Sequence, residues 1–242
     1  MDVWQLEAQK KMIDFLIGFS EIERIEAKGS TLDPCLLDAL SDVDLEIYLS
    51  NDPLFNIKEA VEIMPRYFGD VFGYEIQSDN NCDLLRICFE NGWRFDLSFI
   101  NPEAIESQIS ENTFSDNIES IMNRFWFMAS MVAVKLGRKD HLIAAHLALE
   151  LCQMNIAIQM LVRDNAKGSD IHRFGGGEDV PILHSWTKLN GSNKLRENTS
   201  KDNILHILLQ AAKQMDTTFA SLDTLYKSRT KILVNLLDMF QI

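Results

Sequence analysis

The sequence is short of the residues that cross-link or ligate. Among 242 residues there are 4 cysteines, 5 histidines and 5 prolines. Cys35, Cys82, Cys88 and Cys152 are scattered, with no C-x-x-C pair, so reduced and mostly buried thiols are expected rather than a disulfide framework. His141 and His146 stand five apart and no H-E-x-x-H occurs, which excludes the usual zinc-protease arrangement. No stretch approaches the roughly 20 apolar residues of a membrane span. The first residues, Met-Asp-Val-Trp, alternate acid, base and apolar types beyond that point and do not read as a signal peptide, so the expected compartment is the cytoplasm. No internal repeat or low-complexity segment is present.

Positive charge is scarce where it would matter for a nucleic-acid binder. The net charge is −13. Residues 1–110 hold 22 acids against 8 bases, and the remainder 14 against 15, so the excess lies in the first half. That distribution excludes a general nucleic-acid binder. It favours cationic partners and repels polyphosphates unless metal or local Lys and Arg intervene, though acidity also serves solubility alone.

What is present is a pattern of elements with three well-placed aspartates. Apolar residues at a 3.6 period predict a helix over 3–18. A short strand over 21–28 ends in the Gly29-Ser30 turn, and 31–40 forms a short helix or loop. Asp42–Leu49 reads as a strand with Val43, Leu45, Ile47 and Leu49 on one face and Asp42, Asp44, Glu46 and Tyr48 on the other. Ile57–Phe68 reads as a helix; Val71–Ile76, Leu84–Glu90 and Arg94–Ile100 read as strands. Asn91-Gly92 signals a type I′ hairpin between the last two. After Pro102 the texture becomes helical, over 117–137, 139–163, 202–222 and 223–240, with a polar loop region at 165–200. The expected class is α+β: a small mixed sheet with helices over 1–110, then an all-α bundle over 111–242.

Residues i and i+2 of a strand share a side, so Asp42 and Asp44 converge, about 7 Å apart at Cα. Carboxylates with substrate phosphates are what Mg²⁺ takes as ligands. Asp96 would complete a two-metal clamp if its strand lies beside that of Asp42 and Asp44. An acid inside an otherwise buried strand needs a partner. The competing reading of Asp-x-Asp is a solvated strand edge. Lys135 and Arg138 lie one turn apart on one helix face, where they suit either a polyphosphate or simple helix-end electrostatics. His172-Arg173-Phe174-Gly175-Gly176-Gly177 reads as a loop between helices or an acceptor-binding lid. Phe125, Trp126 and Phe127 read as core.

Together, Gly29-Ser30, Asp42-Val43-Asp44 and Asp96 resemble the signature of the DNA polymerase beta-type nucleotidyltransferase superfamily. Within it the layout is similar to the aminoglycoside 6-adenylyltransferases and lincosamide nucleotidyltransferases. The resemblance covers about residues 25–100, and Phe125-Trp126 through Asp140 extends it. It implies that Gly29 and Ser30 touch the terminal phosphates of ATP. It implies that Asp42 and Asp44 ligate both of two Mg²⁺ ions, and that Asp96 ligates the catalytic one and faces the acceptor hydroxyl. Lys135, with Arg138 beside it, would meet the triphosphate. Asp140 is the implied candidate base, Glu150 the second, and Asp96 itself a third. The implied acceptor is a small cationic molecule, an aminoglycoside or a lincosamide. Transfer to a protein hydroxyl and a catalytically degenerate nucleotide-binding module are the alternatives. A homodimer is compatible with the sequence and not required by it. Two departures stand out: Thr31 follows Ser30 where many relatives carry Arg, and residues 31–41 contain no glycine or base. Phosphate charge is then left to Lys135, Arg138 and metal.

Overall fold

A computed structural model describes residues 4–33, 35, 37–50, 55–79, 81–101, 114–166 and 200–242. The chain divides into two compact units, Met1–Glu111 and Asn112–Ile242. The first contains helix α1 (Trp4–Leu16), strand β1 (Ile22–Lys28), a 3₁₀ turn (Gly29–Leu32) and β2 (Val43–Leu49). It continues with α2 (Ile57–Ile63), α3 (Pro65–Phe68), β3 (Val71–Asp79), β4 (Cys82–Phe89) and β5 (Arg94–Ile100). The expected helix over 57–68 is therefore two pieces. Pro65 brings no N–H to a continuing helix and sits instead at the first position of α3, where that loss is tolerated.

The five strands lie in the order β1-β2-β5-β4-β3. β2 and β5 are parallel, and the other neighbours are antiparallel. Alternation along β2 and β5 sends Val43, Leu45, Ile47, Phe95, Leu97 and Phe99 to a buried face. There they join Met12, Phe15 and Leu16 of α1 and Ile57, Val61 and Phe68 of α2 and α3 in one core. The opposite face carries the polar alternates Asp44, Glu46, Asp96 and Ser98.

The β4–β5 hairpin differs from expectation. Gly92 has φ +84°, but Asn91 does not have positive φ, so the turn is not type I′. Gly92 N–H donates to the Phe89 carbonyl (3.0 Å), and Phe89 N–H donates to the Trp93 carbonyl (2.9 Å). This is a three-residue loop closed by one left-handed glycine. Asn91 uses its side chain instead, accepting from Trp93 N–H at 3.0 Å and donating to the Phe68 carbonyl at 3.3 Å.

The second unit is helical: α4 (Phe114–Gly137), α5 (His141–Ala166), α6 (Lys201–Leu222) and α7 (Thr230–Met239). Phe125, Trp126 and Phe127 are buried in it. By length and composition alone α5 is apolar enough to cross a membrane, against the expectation that no stretch is. Its Ala144, Ala148, Leu151 and Ile158 are buried, and Asn155 donates to the Ala211 carbonyl of α6 at 3.0 Å, which ties this apolar length to helix packing. Cys88 and Cys152 are buried and Cys35 is exposed. The 165–200 loop region, with the His172–Gly177 stretch, lies outside the described residues apart from the end of α5 and Ser200.

Asp216 organises the turn from α6 to α7. Its carboxylate accepts from the Tyr226 hydroxyl (2.8 Å), the Ser228 hydroxyl, and the Arg229 and Thr230 amides (3.0 and 3.1 Å). Burial alone would raise its pKa, but these hydrogen bonds outweigh burial and hold it below the usual carboxylate value. The stability it contributes is present above the unfolded pKa and is lost as pH falls through the folded one. Asp216→Ala should cost about 2–4 kcal/mol by stranding several donors, read as a lower denaturant midpoint for the helical unit.

Candidate active site

The site is built by the register of four strands. Asp44 pairs with Asp96 across the parallel β2–β5 ladder. Lys28, the last residue of β1, pairs with Asp44. Arg86 of β4 pairs with Asp96. Cross-strand partners share a face and lie about 5 Å apart, so one row across the sheet reads Lys28, Asp44, Asp96, Arg86. These four side chains, with Gly29, Glu46 and Ser98, line a cleft of about 350 Å³.

The Gly29 turn presses against this row. Gly29 has φ +60°, and a Cβ built on it would collide with the Asp44 carboxylate. Glycine is required twice over here, for the left-handed backbone and for the close approach. Thr31, where many lookalikes carry Arg, closes the turn: its hydroxyl donates to the Lys28 carbonyl at 2.8 Å. Ser30 is half-buried in the same turn.

Asp42 lies one residue before β2, in the segment that enters it. That segment is fixed from below. Arg94, almost fully buried, donates to the carbonyls of Leu40 (2.6 Å) and Ser41 (3.2 Å). Gln5 of α1, fully buried, donates to Asp38 (2.6 Å) and Ser41 (3.1 Å) carbonyls. The Trp4 indole donates to the Ala39 carbonyl at 3.2 Å, and the Asp38 carboxylate accepts from the Ser41 hydroxyl and the Leu40 amide. Buried donors of this kind stiffen the entry to β2.

The electrostatics follow from three carboxylates in partial burial. Asp44 is raised to about 6, by burial and then by repulsion from Asp42, with Arg86 opposing. Asp96 is also raised to about 6, by burial first and then Asp42; Arg86 opposes, Asp44 adds repulsion, and Arg94 opposes weakly. Arg86 Nε stands 3.3 Å from Asp96 Oδ2. That distance makes an ion pair, yet the Nε has no aligned hydrogen bond. Lys28 is held above its usual value by hydrogen bonds to Glu26 and then Glu46, at 3.1 Å each.

The other sequence candidates lie in the helical unit. Lys135 is half-buried in the last turn of α4 and Arg138 is exposed. The helix ends in a Schellman arrangement: Asp140 N–H donates to the Lys135 carbonyl and Lys139 N–H to Leu136 (2.9 Å each), with Lys139 at φ +61°. Asp140 then caps α5, its carboxylate accepting from Ile143 N–H at 3.3 Å. Glu150 faces His146 Nε2 at 3.4 Å, one turn away on α5.

Among the described residues no three His, Cys, Asp or Glu side chains are already gathered closely enough to enclose a metal ion. The donor set nevertheless fits a hard divalent cation. Asp44 and Asp96 supply carboxylate oxygens from adjacent strands, burial and then the nearby Asp42 charge disfavour their ionised forms in a way a cation would offset, and Mg²⁺ usually takes only one or two protein carboxylates and fills its remaining positions with water and phosphate.

Residue composition alone did not flag Lys28, Arg86 or the buried Arg94. A basic residue inside a largely apolar strand was the available signal for Arg86.

Comparison with known proteins finds no matching family model and no matching curated protein. Among solved structures, an aminoglycoside 6-adenyltransferase from Bacillus subtilis is similar at TM-score 0.36 and 14% identity, over 96% of this chain and 97% of that one. A STING-associated CdnE c-di-GMP synthase from Capnocytophaga granulosa is similar at TM-score 0.27 and 15% identity, over 98% of this chain and 78% of that one.

The raised carboxylates give a signed pH dependence. Between about pH 4 and 6 the folded state retains protons that the unfolded chain releases. The contribution of Asp44 and Asp96 to stability therefore falls as pH rises through that window. Without cation, Asp96→Asn should stabilise the protein at pH 7.5 by on the order of 1 kcal/mol after allowance for solvent screening. The gain should vanish near pH 4.5, where Asp96 is already protonated. Thermal melts at the two pH values check this. Gly29→Ala should destabilise by about 1–2 kcal/mol through its positive φ and displace the Asp44 carboxylate.

Proposed function

We propose that this chain is a metal-dependent nucleotidyltransferase that moves AMP from ATP to a hydroxyl of a small acceptor, an aminoglycoside or lincosamide. The observation that carries the reading is Asp44 set beside Asp96 by the parallel ladder, with the Gly29 turn against Asp44. Two carboxylates of raised pKa facing one cleft, beside a glycine-opened backbone, suit phosphoryl chemistry, in which the protein supplies positioning and charge neutralisation.

In this reading Asp44 and Asp96, with Asp42 beside them, hold Mg²⁺, two ions by the family resemblance. Bound there, the divalent ion would neutralise phosphate charge and acidify the attacking hydroxyl. Gly29 offers backbone with no side chain in the way, and Ser30 a hydroxyl, to the terminal phosphates. Asp96 orients the acceptor hydroxyl and takes its proton as that hydroxyl attacks. Asp140 is the weaker candidate for that role, because its carboxylate already caps α5. Lys135 and Arg138 remain proposed triphosphate contacts on the resemblance alone. The acidity of residues 1–110 supports a cationic acceptor.

One observation favours a second reading, a degenerate nucleotide-binding module. Arg86 already stands on Asp96 where a cation would be needed. The readings part on turnover. Protein with Mg-ATP and a panel of aminoglycosides and lincosamides should release pyrophosphate with at least one acceptor. Asp44→Asn should lower that rate by about 100-fold or more while leaving the circular dichroism spectrum intact. Silence across the panel removes the antibiotic assignment, and nucleotide binding without turnover selects the degenerate module.

A further inference from the structure

Arg86 is placed by the sheet, not by chance of a surface rotamer. Its position in β4 is directly opposite Asp96, its side chain lines the cleft, and its charge opposes the repulsion felt at both Asp44 and Asp96. Its hold on Asp96 is also loose. The Nε–Oδ2 separation is 3.3 Å without hydrogen-bond alignment, and the side chain retains 39% exposure. A guanidinium this close to the carboxylates repels an arriving divalent ion and competes with it for the same oxygens. It is long, only partly buried, and shaped to fork onto phosphate oxygens.

We propose that Arg86 is an exchangeable counter-ion. It holds Asp96 while the cleft has no cation, and it transfers to the phosphate oxygens of a nucleoside triphosphate when a divalent ion takes the carboxylates. Cation binding is thereby strong only when the triphosphate arrives with it. Lys28, at the other end of the row, is not placed to do this, because Glu26 and Glu46 already hold its ammonium at 3.1 Å each. This assignment rests on the nucleotidyltransferase reading of the same cleft, and it makes Arg86 a residue that couples two ligands.

The test measures binding and not turnover. Mn²⁺ is titrated into wild-type protein, Arg86→Gln and Arg86→Lys, each with and without a non-hydrolysable ATP analogue, by calorimetry and by Mn²⁺ paramagnetic resonance. Wild type should bind Mn²⁺ weakly alone and much more tightly with the analogue. Arg86→Gln should bind Mn²⁺ alone about tenfold more tightly and the analogue in saturating Mn²⁺ about tenfold more weakly, so that the coupling collapses. Arg86→Lys, which keeps the charge, should restore the weak binding of Mn²⁺ alone. The proposal is overturned if Arg86→Gln binds Mn²⁺ no more tightly than wild type, or keeps the wild-type coupling. Asp44→Asn separates the two levels of the account. If it leaves Mn²⁺ and analogue binding unchanged, the cleft is not the nucleotide site, and the role of Arg86 falls with it. If it abolishes Mn²⁺ binding while Arg86→Gln has no effect, only the role of Arg86 falls.

Discussion

The parallel pairing of β2 with β5 sets Asp44 beside Asp96, and the chemistry assigned to the cleft depends on that adjacency. The register is held from the other side of the sheet. Val43 lies opposite Phe95, Leu45 opposite Leu97 and Ile47 opposite Phe99, all buried. A slip of β2 by one residue would turn Val43, Leu45 and Ile47 toward the cleft and Asp44 into the core. Burying an unpaired carboxylate costs several kcal/mol, and exposing each large apolar side chain costs about 1.5–3 kcal/mol. The hydrophobic layer under α1, α2 and α3 thus fixes the position of the acidic pair.

Around that pair the molecule balances charge rather than removing it. Two carboxylates in partial burial repel one another and Asp42. Lys28 and Arg86 flank them in the same row, yet neither makes a firm bond to the pair: Lys28 is held by Glu26 and Glu46, and Arg86 stands close to Asp96 without alignment. The fold therefore carries a loosely compensated site, supported by rigid neighbours. Arg94, Gln5 and Trp4 bond the backbone that leads into Asp42, and Gly29 lies against Asp44 without a side chain between them. Local strain and repulsion of this kind are tolerated when the surroundings over-determine the geometry.

Much of this was legible in the residues, for identifiable reasons. The alternation in Val43–Leu49 and Arg94–Ile100 fixed which residues face the core, because a strand's period is two. Gly29-Ser30 read as a turn, and Gly29 takes the positive φ that a turn glycine allows. The α+β class followed from strands early and long apolar-striped helices later. Other features were hidden because they depend on partners distant in sequence. That β2 neighbours β5 is a topological fact, whereas Lys28 meets Asp44 and Arg86 meets Asp96 through the registers of the β1–β2 and β4–β5 pairs. The type I′ assignment at Asn91-Gly92 failed because the preceding residues supply a turn of their own, with Gly92 alone at positive φ. Asp140, singled out by resemblance, caps α5 through its carboxylate, a common use of aspartate at the start of a helix.

The most direct test of the central claim is the position of an ion. Crystals grown with Mn²⁺ and a non-hydrolysable ATP analogue would locate it by anomalous scattering. The account predicts a peak within about 2.0–2.3 Å of carboxylate oxygens from both Asp44 and Asp96, with the analogue's phosphates completing its shell beside Gly29. A peak held by other residues, or none in the cleft while the analogue is bound elsewhere, would contradict it.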